Sequence, residues 1–94
     1  MELRFYKDPE TGLPHIYDHG VTEEEVREVL AHQRENRAGS NDSKAAIGQT
    51  NAGRYLRVFY VPDAYGDGVF VVTAYELRGK QLKAFRRRQR RKNK

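Results

Sequence analysis

The clearest hydrophobic pattern in the chain begins at Thr22. Val26, Val29 and Leu30 follow the i, i+3, i+4 spacing of a helix that is buried along one side. A glutamate three residues after Thr22 completes a capping box, in which each side chain bonds to the other residue's backbone N–H. This pattern predicts an α-helix over about 22–34.

The segment before this helix has the alternation of a short hairpin. Residues 3–6 alternate as a strand, and residues 8–12 contain the proline and glycine of a turn. Residues 13–17 are predicted to return as a second strand. Pro14 indicates that this strand lies at the edge of a sheet, because proline cannot donate to a ladder of hydrogen bonds.

Beyond the helix the sequence predicts one loop, three strands and a second helix. Residues 35–43 are polar and predict the loop, whereas 45–49, 55–61 and 69–77 are predicted to be strands. Residues 80–91 predict a helix with few apolar contacts. The order β-β-α-β-β-β-α predicts an α+β fold with a mostly antiparallel sheet of about five strands, one packed helix and a basic C-terminal helix.

Size and composition predict one domain over 1–94. The chain has 94 residues, of which 37% are hydrophobic and 33% charged, and it contains no cysteine. Disulfides and thiolate metal sites are therefore excluded. The sequence has neither a signal-peptide profile at its start nor an apolar run of the roughly 20 residues that span a bilayer. We therefore expect a cytoplasmic protein with no membrane contact.

Charge is distributed very unevenly along the chain. Residues 1–77 carry eight Lys/Arg against 13 Asp/Glu, whereas 78–94 carry ten Lys/Arg and no acidic residue. This asymmetry favours a polyanionic partner, and nucleic acid is the first choice. Lys83, Arg86 and Arg87 are predicted to contact phosphates, since arginine suits bidentate phosphate geometry. The alternatives are an acidic protein partner and a purely solvated tail.

Two further groups of residues are candidates for chemistry. His15, Tyr17 and His19 precede the first helix, and imidazole exchanges protons near neutral pH. His19 could instead hydrogen-bond the backbone of its turn. The second group comes from the ends of two predicted strands and consists of Arg54, Tyr55, Arg57, Tyr75, Glu76 and Arg78. Arg57 and Glu76 alternate with apolar residues, so their charges are expected to be paired. Glu76 could pair with Arg54, Arg57 or Arg78, either structurally or catalytically. The three histidines and scattered acids show no metal-ligand spacing, and no cofactor is expected.

Short motifs in the chain resemble those of the BrnT-like toxins, members of the RelE/ParE-type toxin superfamily. Residues 17–26 are similar to the "KHGVSFEEA" motif of that family, and residues 46–60 resemble its "AIGxxxxGRxLxVVY" strand pair. Residues 69–75 correspond to its "IRIISAR" strand, which a basic helix follows. The resemblance extends over about 15–90. It departs at Tyr75 and Glu76, which stand where the family pattern has arginine.

The resemblance implies a RelE-like fold and a toxin of a type II toxin–antitoxin pair that cleaves RNA without metal. Its implied partners are RNA, free or on the ribosome, and an antitoxin protein. It implies catalytic roles for His19, Arg57 and Tyr75. The implied phosphate-binding cations are Lys44, Arg54 and Arg78. The alternatives are a noncatalytic RNA- or nucleic-acid-binding module on the same scaffold, and an interaction protein whose basic helix docks an acidic partner.

Overall fold

The computed structural model describes residues 1–92, which form a five-stranded sheet and two α-helices. The strands are β1 (Leu3–Phe5), β2 (Gln33–Ala38), β3 (Lys44–Gln49), β4 (Tyr55–Pro62) and β5 (Val69–Glu76), and the helices are α1 (Glu23–Ala31) and α2 (Gly79–Lys92). The sheet order is β1-β5-β4-β3-β2. Only the β1–β5 pair is parallel within the described sheet. The predicted α+β class and mostly antiparallel sheet are therefore confirmed. Lys94, the last cation of the predicted basic segment, lies outside the described residues.

The capping box of α1 is present as the sequence predicts. The Glu25 N–H donates to Thr22 Oγ1 at 3.1 Å, and the Thr22 N–H donates to Glu25 Oε1 at 3.0 Å. Val21, just before the cap, is fully buried together with Val26. The helix ends at Ala31, earlier than predicted, because the chain then turns directly into β2.

The returning strand of the predicted N-terminal hairpin is wrong, whereas the turn at residues 8–12 is present, with the Gly12 N–H donating to the Asp8 carbonyl oxygen at 2.8 Å. Residues 13–17 form no strand; a single antiparallel bridge joins Lys7 to Pro14, and a 3₁₀ helix then spans His15–His19. Pro14 lacks the N–H that would extend the ladder. The 3₁₀ helix also buries Ile16 in the core, and Gly20 ends it in the left-handed conformation with φ 69°. Strand β1 pairs instead with β5.

The predicted loop over 35–43 is also wrong at its start, because residues Gln33–Ala38 form strand β2. This strand lies at the edge of the sheet, and Glu35 is its one buried residue. An edge strand that leaves most side chains in water carries no hydrophobic alternation, so its sequence reads as a loop. Antiparallel backbone pairing with β3 determines the structure here.

The sheet buries one face beneath α1 and part of the other beneath α2. The larger core, between α1 and the sheet, includes Val26, Val29, Leu56, Val58 and Val71. The smaller cluster lies under α2 and contains Ile47, Leu77 and Phe85, with Tyr55, Tyr75 and Leu82 packed against it. Phe85 is only 1% exposed. Burial of such a side chain stabilises the docked helix by roughly 1.5–3 kcal/mol.

Candidate nucleic-acid interface

Arg57 and Tyr75 lie side by side on the sheet face opposite α1. They are register partners on β4 and β5, and both are half-buried. Arg57 Nη1 donates a hydrogen bond to the Tyr75 hydroxyl oxygen at 3.1 Å. The guanidinium carbon also lies 6.0 Å from the centroid of the tyrosine ring. This contact fixes a cation beside a hydroxyl group on a rigid pair of strands.

The 3₁₀ helix brings His19 to this pair. Strand β1 pairs only with the first residues of β5, and the 3₁₀ helix packs against β5 as well. The exposed His19 ring stands edge-on to Tyr75, with ring centroids 6.4 Å apart. The three residues with implied catalytic roles are therefore neighbours, and we call them the His19–Arg57–Tyr75 cluster.

A shallow cleft of about 320 Å³ opens beside this cluster. It is lined by Asp18, His19, Tyr75, Glu76 and Arg78. The cleft thus contains an imidazole, a phenol and a guanidinium, but also two carboxylates. Arg78 Nη2 donates to Glu76 Oε1 at 3.3 Å, and its side chain is 82% exposed, so it remains open to a ligand in solution.

Arg54 is occupied by protein groups rather than facing open solvent. Its Nη1 donates to both carboxylate oxygens of Glu25, at 2.7 and 2.9 Å, and to the carbonyl of Gly20. Its Nη2 reaches Glu76 at 3.4 Å. Partial burial raises the pKa of Glu25, but hydrogen bonds from Thr22 and Arg54 outweigh it, and the pKa lies below its ordinary value. Arg54 therefore has a structural role, because its donors are taken up by the carboxylates of Glu25 and Glu76.

Lys44 lies apart from the cluster. It is exposed at the start of β3, opposite Tyr60, whereas Ile47 is the β3 residue opposite Arg57. Three residues of strand separate the two positions by about 10 Å. The structure does not bring Lys44 to the site.

His15 lies beside His19 and joins two carboxylates. Its Nδ1 is 2.9 Å from Asp8 Oδ1 and 3.6 Å from Asp18 Oδ2. The hydrogen bond from His15 lowers the pKa of the Asp8 carboxyl below its ordinary value. The His15 and His19 rings are in edge contact, with centroids 5.2 Å apart. Asp8 therefore orients the His15 ring, and the His15 ring in turn packs against the ring of His19.

The same three groups could hold a divalent cation. The ligand atoms of Asp8, His15 and Asp18 all lie within 4.8 Å of one another. The sequence predicted no metal-ligand spacing, because Asp8 and His15 are brought together by the turn that the Lys7–Pro14 bridge closes. Nitrogen with carboxylate oxygen is a ligand set that first-row metals accept.

A second concave surface lies between α2 and strands β2 and β4. We call it the basic groove; it has a volume of about 420 Å³. Tyr55 contributes its accessible aromatic ring, which packs on the buried Phe85 with ring centroids 5.6 Å apart. Its cationic lining residues are Arg34, Lys83, Arg86, Arg87 and Arg90. The predicted phosphate contacts Lys83, Arg86 and Arg87 are therefore brought together here. The His19–Arg57–Tyr75 cluster contributes no side chain to this lining.

Arg88 does not belong to the solvated cations of α2. Its Nε and Nη2 donate to the two carboxylate oxygens of Glu35 at 2.7 and 2.9 Å. The Glu35 side chain is 8% exposed, and the hydrogen bond from Arg88 lowers the pKa of its carboxyl below the ordinary value. This bidentate pair ties α2 to the edge strand and fixes the rotation of the helix about its axis.

Sequence reasoning missed the parts of the groove that lie outside the basic segment. Arg34 and Glu35 fell at the predicted helix end and in the predicted loop, so neither was placed against α2. Tyr55 was grouped with Arg54 and Arg57 as a candidate for chemistry, but it was not placed beside α2. The alternation of Tyr55 with Arg57 places them on one face of β4, about 7 Å apart, and that alternation was the available signal.

Comparisons of the chain with protein-family models, with curated proteins and with solved structures find no match. Neither α-helix described within residues 1–92 has the length and apolar character that crossing a membrane requires.

Proposed function

We propose that the chain is a metal-independent endoribonuclease toxin of a type II toxin–antitoxin pair, in line with the resemblance in its motifs. The observation that carries the proposal is the His19–Arg57–Tyr75 cluster. It combines an exposed imidazole with a phenol that accepts a 3.1 Å hydrogen bond from a guanidinium. These groups come from a 3₁₀ helix and two strands, so they meet only in the folded chain.

RNA cleavage without metal needs two proton transfers and a cation. The 2′-oxygen forms a bond to phosphorus while the bond from phosphorus to the 5′-oxygen breaks. A base takes the proton of the 2′-hydroxyl, and an acid supplies a proton to the leaving 5′-oxygen. We assign the base to His19 and the acid to Tyr75. Arg57 would stabilise negative charge on the phosphate and on the tyrosine oxygen. The products are a 2′,3′-cyclic phosphate and a 5′-hydroxyl end.

Arg78 is the second cation that the proposal assigns to the substrate phosphate. It lines the cleft beside His19 and is largely exposed. Arg54 would act indirectly, because its donors hold Glu25 and Glu76. Because Arg54 forms an ion pair with Glu76, it reduces the repulsion that this carboxylate exerts on a nearby phosphate.

The second candidate is a noncatalytic RNA-binding module, and the acidic lining of the cleft favours it. Asp18 and Glu76 face the same space as His19, and each repels a phosphate there. The cations of α2 are independent of this cleft and would bind RNA without it. An antitoxin protein is a proposed partner under the first candidate, and the ribosome is a proposed partner under either.

The first experiment scores toxicity. The chain is induced in a bacterial host, and growth and mRNA integrity are compared with those of His19→Ala and Arg57→Ala. We expect arrest and mRNA loss from the intact chain and rescue by both variants. His32→Ala and Arg27→Ala are matched controls, because both residues are exposed and belong to neither surface. Both controls should remain toxic.

A purified system separates the two candidates. We expect His19→Ala, Arg57→Gln and Tyr75→Phe each to lower the cleavage rate by about 10²–10⁴-fold. RNA affinity should change by less than about threefold in Tyr75→Phe, which removes only a hydroxyl. Harmless expression of the intact chain, with salt-dependent RNA binding and no product, would replace the toxin with the binding module.

A further inference from the structure

The basic groove combines an aromatic ring with a rim of mostly cationic side chains. Arg34, Arg86 and Arg87 are exposed at this rim, and no acidic residue of the described chain lines the groove. The Arg86 guanidinium carbon lies 5.6 Å from the centroid of the Tyr55 ring. The surface therefore offers a flat stacking area and several phosphate ligands within one concavity.

The rotation of α2 produces this arrangement. Lys83, Arg86, Arg87 and Arg90 follow the i, i+3, i+4, i+7 spacing and therefore share one side of the helix. Phe85 is buried against the sheet, and Arg88 is bonded to Glu35. With these contacts fixed, the cationic side of the helix is held next to Tyr55 and Arg34. The positive charge is concentrated there by the fold and is not spread evenly around the helix.

We infer that the basic groove is a nucleotide-binding site separate from the His19–Arg57–Tyr75 cluster. The nucleobase would lie against the half-buried Tyr55 ring, and the phosphate would be held by Arg34, Arg86 and Arg87. A free nucleotide and one unit of a single RNA strand share this chemistry. The identification of RNA as the ligand in the cell rests on the proposed function, whereas the existence of the site does not depend on it.

Two observations favour a nucleotide over an acidic peptide. The volume of about 420 Å³ falls in the range typical of small-molecule pockets, about 300–1,000 Å³. The half-buried Tyr55 ring offers an apolar surface that the carboxylates of an acidic peptide would leave unused. A nucleotide uses both features, because bases stack on aromatic and guanidinium groups while the phosphate binds the cations.

The test measures binding of adenosine 5′-monophosphate and of ribose 5-phosphate, which lacks the base, to the full chain by titration at low salt. Replacement of Tyr55 by leucine should weaken binding of the monophosphate by about 5- to 150-fold. The same variant should leave ribose 5-phosphate binding within about twofold. Arg86→Gln/Arg87→Gln should weaken both ligands by tenfold or more, and it keeps the test valid if Tyr55→Leu fails to fold.

The matched control is Arg91→Gln/Lys92→Gln, which removes the same charge from exposed positions of α2 that do not line the groove. This control should bind the monophosphate within about twofold of the original chain. Equal losses in the two double variants would show that only net charge matters and would overturn the site. Equal binding of the two ligands, with no effect of Tyr55→Leu, would overturn the base contact.

Two further ligands test whether the groove binds an RNA strand or a free nucleotide, and whether it binds an acidic peptide instead. A 2′-O-methyl pentanucleotide, which cannot be cleaved at the 2′-hydroxyl, should compete with the monophosphate if the groove takes an RNA strand. A free nucleotide that binds without such competition supports the site with a small-molecule ligand. A glutamate-rich peptide that binds where the monophosphate does not would overturn the inference in favour of an acidic protein. Because His19→Ala should leave monophosphate binding unchanged, failure of the cleavage proposal and failure of the groove are distinguishable.

Discussion

The Glu35–Arg88 ion pair is predicted to hold α2 in the rotation that forms the basic groove. Glu35→Gln keeps the size of the side chain, removes its charge and replaces one of the two oxygens that accept hydrogen bonds from Arg88 with an NH₂ group that cannot accept. Breaking a fully buried ion pair from one side costs about 3–5 kcal/mol. The Arg88 side chain is 29% exposed and regains water. We therefore expect the free energy of unfolding to fall by about 2–3 kcal/mol.

Urea unfolding followed by circular dichroism measures this loss. Hydrogen exchange of the α2 amides shows whether it is localised, because weakened docking should lower protection in α2 before it does so in β4. Glu10→Gln, an exposed carboxylate in the N-terminal turn, should change stability by less than about 0.5 kcal/mol. A double-mutant cycle with Arg88→Gln should give a coupling of roughly 1–3 kcal/mol.

The reasoning would be refuted by a stability loss below about 0.5 kcal/mol in Glu35→Gln with unchanged exchange in α2. That result would mean that Phe85 alone docks the helix and that the Glu35–Arg88 ion pair contributes little to docking. It would also remove the physical reason for concentrating the α2 cations beside Tyr55.

Three further predictions concern the scaffold. Gly48→Ala should destabilise the fold by about 1–3 kcal/mol in urea unfolding, because the new Cβ would lie 3.1 Å from Val29 Cγ1 and 3.2 Å from the Val29 carbonyl oxygen; an unchanged midpoint would contradict the close packing of α1 on β3. Thr22→Ala should cost about 0.5–2 kcal/mol through loss of the capping box with Glu25, whereas Thr22→Ser should retain most of it. In the folded chain the pKa of Glu35 lies below its ordinary value of 4.5, so its contribution to stability is complete above about pH 5 and is lost as the pH falls through the folded pKa. When unfolding is measured across pH 3–6, the free energy of unfolding should therefore fall less steeply with acid in Glu35→Gln than in the original chain.

The parts of the fold that follow from local signals were predicted. The capping box and the apolar spacing at Val26, Val29 and Leu30 mark α1, and apolar content marks strands β3, β4 and β5. Strand β2 was not predicted, because only Glu35 in it is buried and its pairing with β3 is set by the backbone. The segment at Pro14 was misread as a strand, because a few alternating residues are compatible with a 3₁₀ helix that buries one of them.

The sequence predicted which residues belong to the candidate site, but it could not predict how they are arranged. The alternation on β4 placed Arg57 on one face, yet its opposition to Tyr75 depends on the register of β4 and β5, which includes a shift between Phe59 and Tyr60. The pairing of Arg88 with Glu35 could not be predicted, because it depends on strand β2, which has no hydrophobic pattern in the sequence. Pairings between distant segments depend on the whole sheet and leave no local pattern.

The most direct test of the proposed RNA cleavage compares two substrates that differ only at the 2′ position. The purified chain is incubated with a labelled single-stranded RNA and with its 2′-deoxy counterpart, in the presence of a metal chelator, and the product ends are analysed. We predict cleavage of the RNA alone, with a 2′,3′-cyclic phosphate on the product and loss of cleavage in His19→Ala. Intact RNA, equal cleavage of the deoxy strand, or full activity in His19→Ala would contradict the role assigned to the His19–Arg57–Tyr75 cluster.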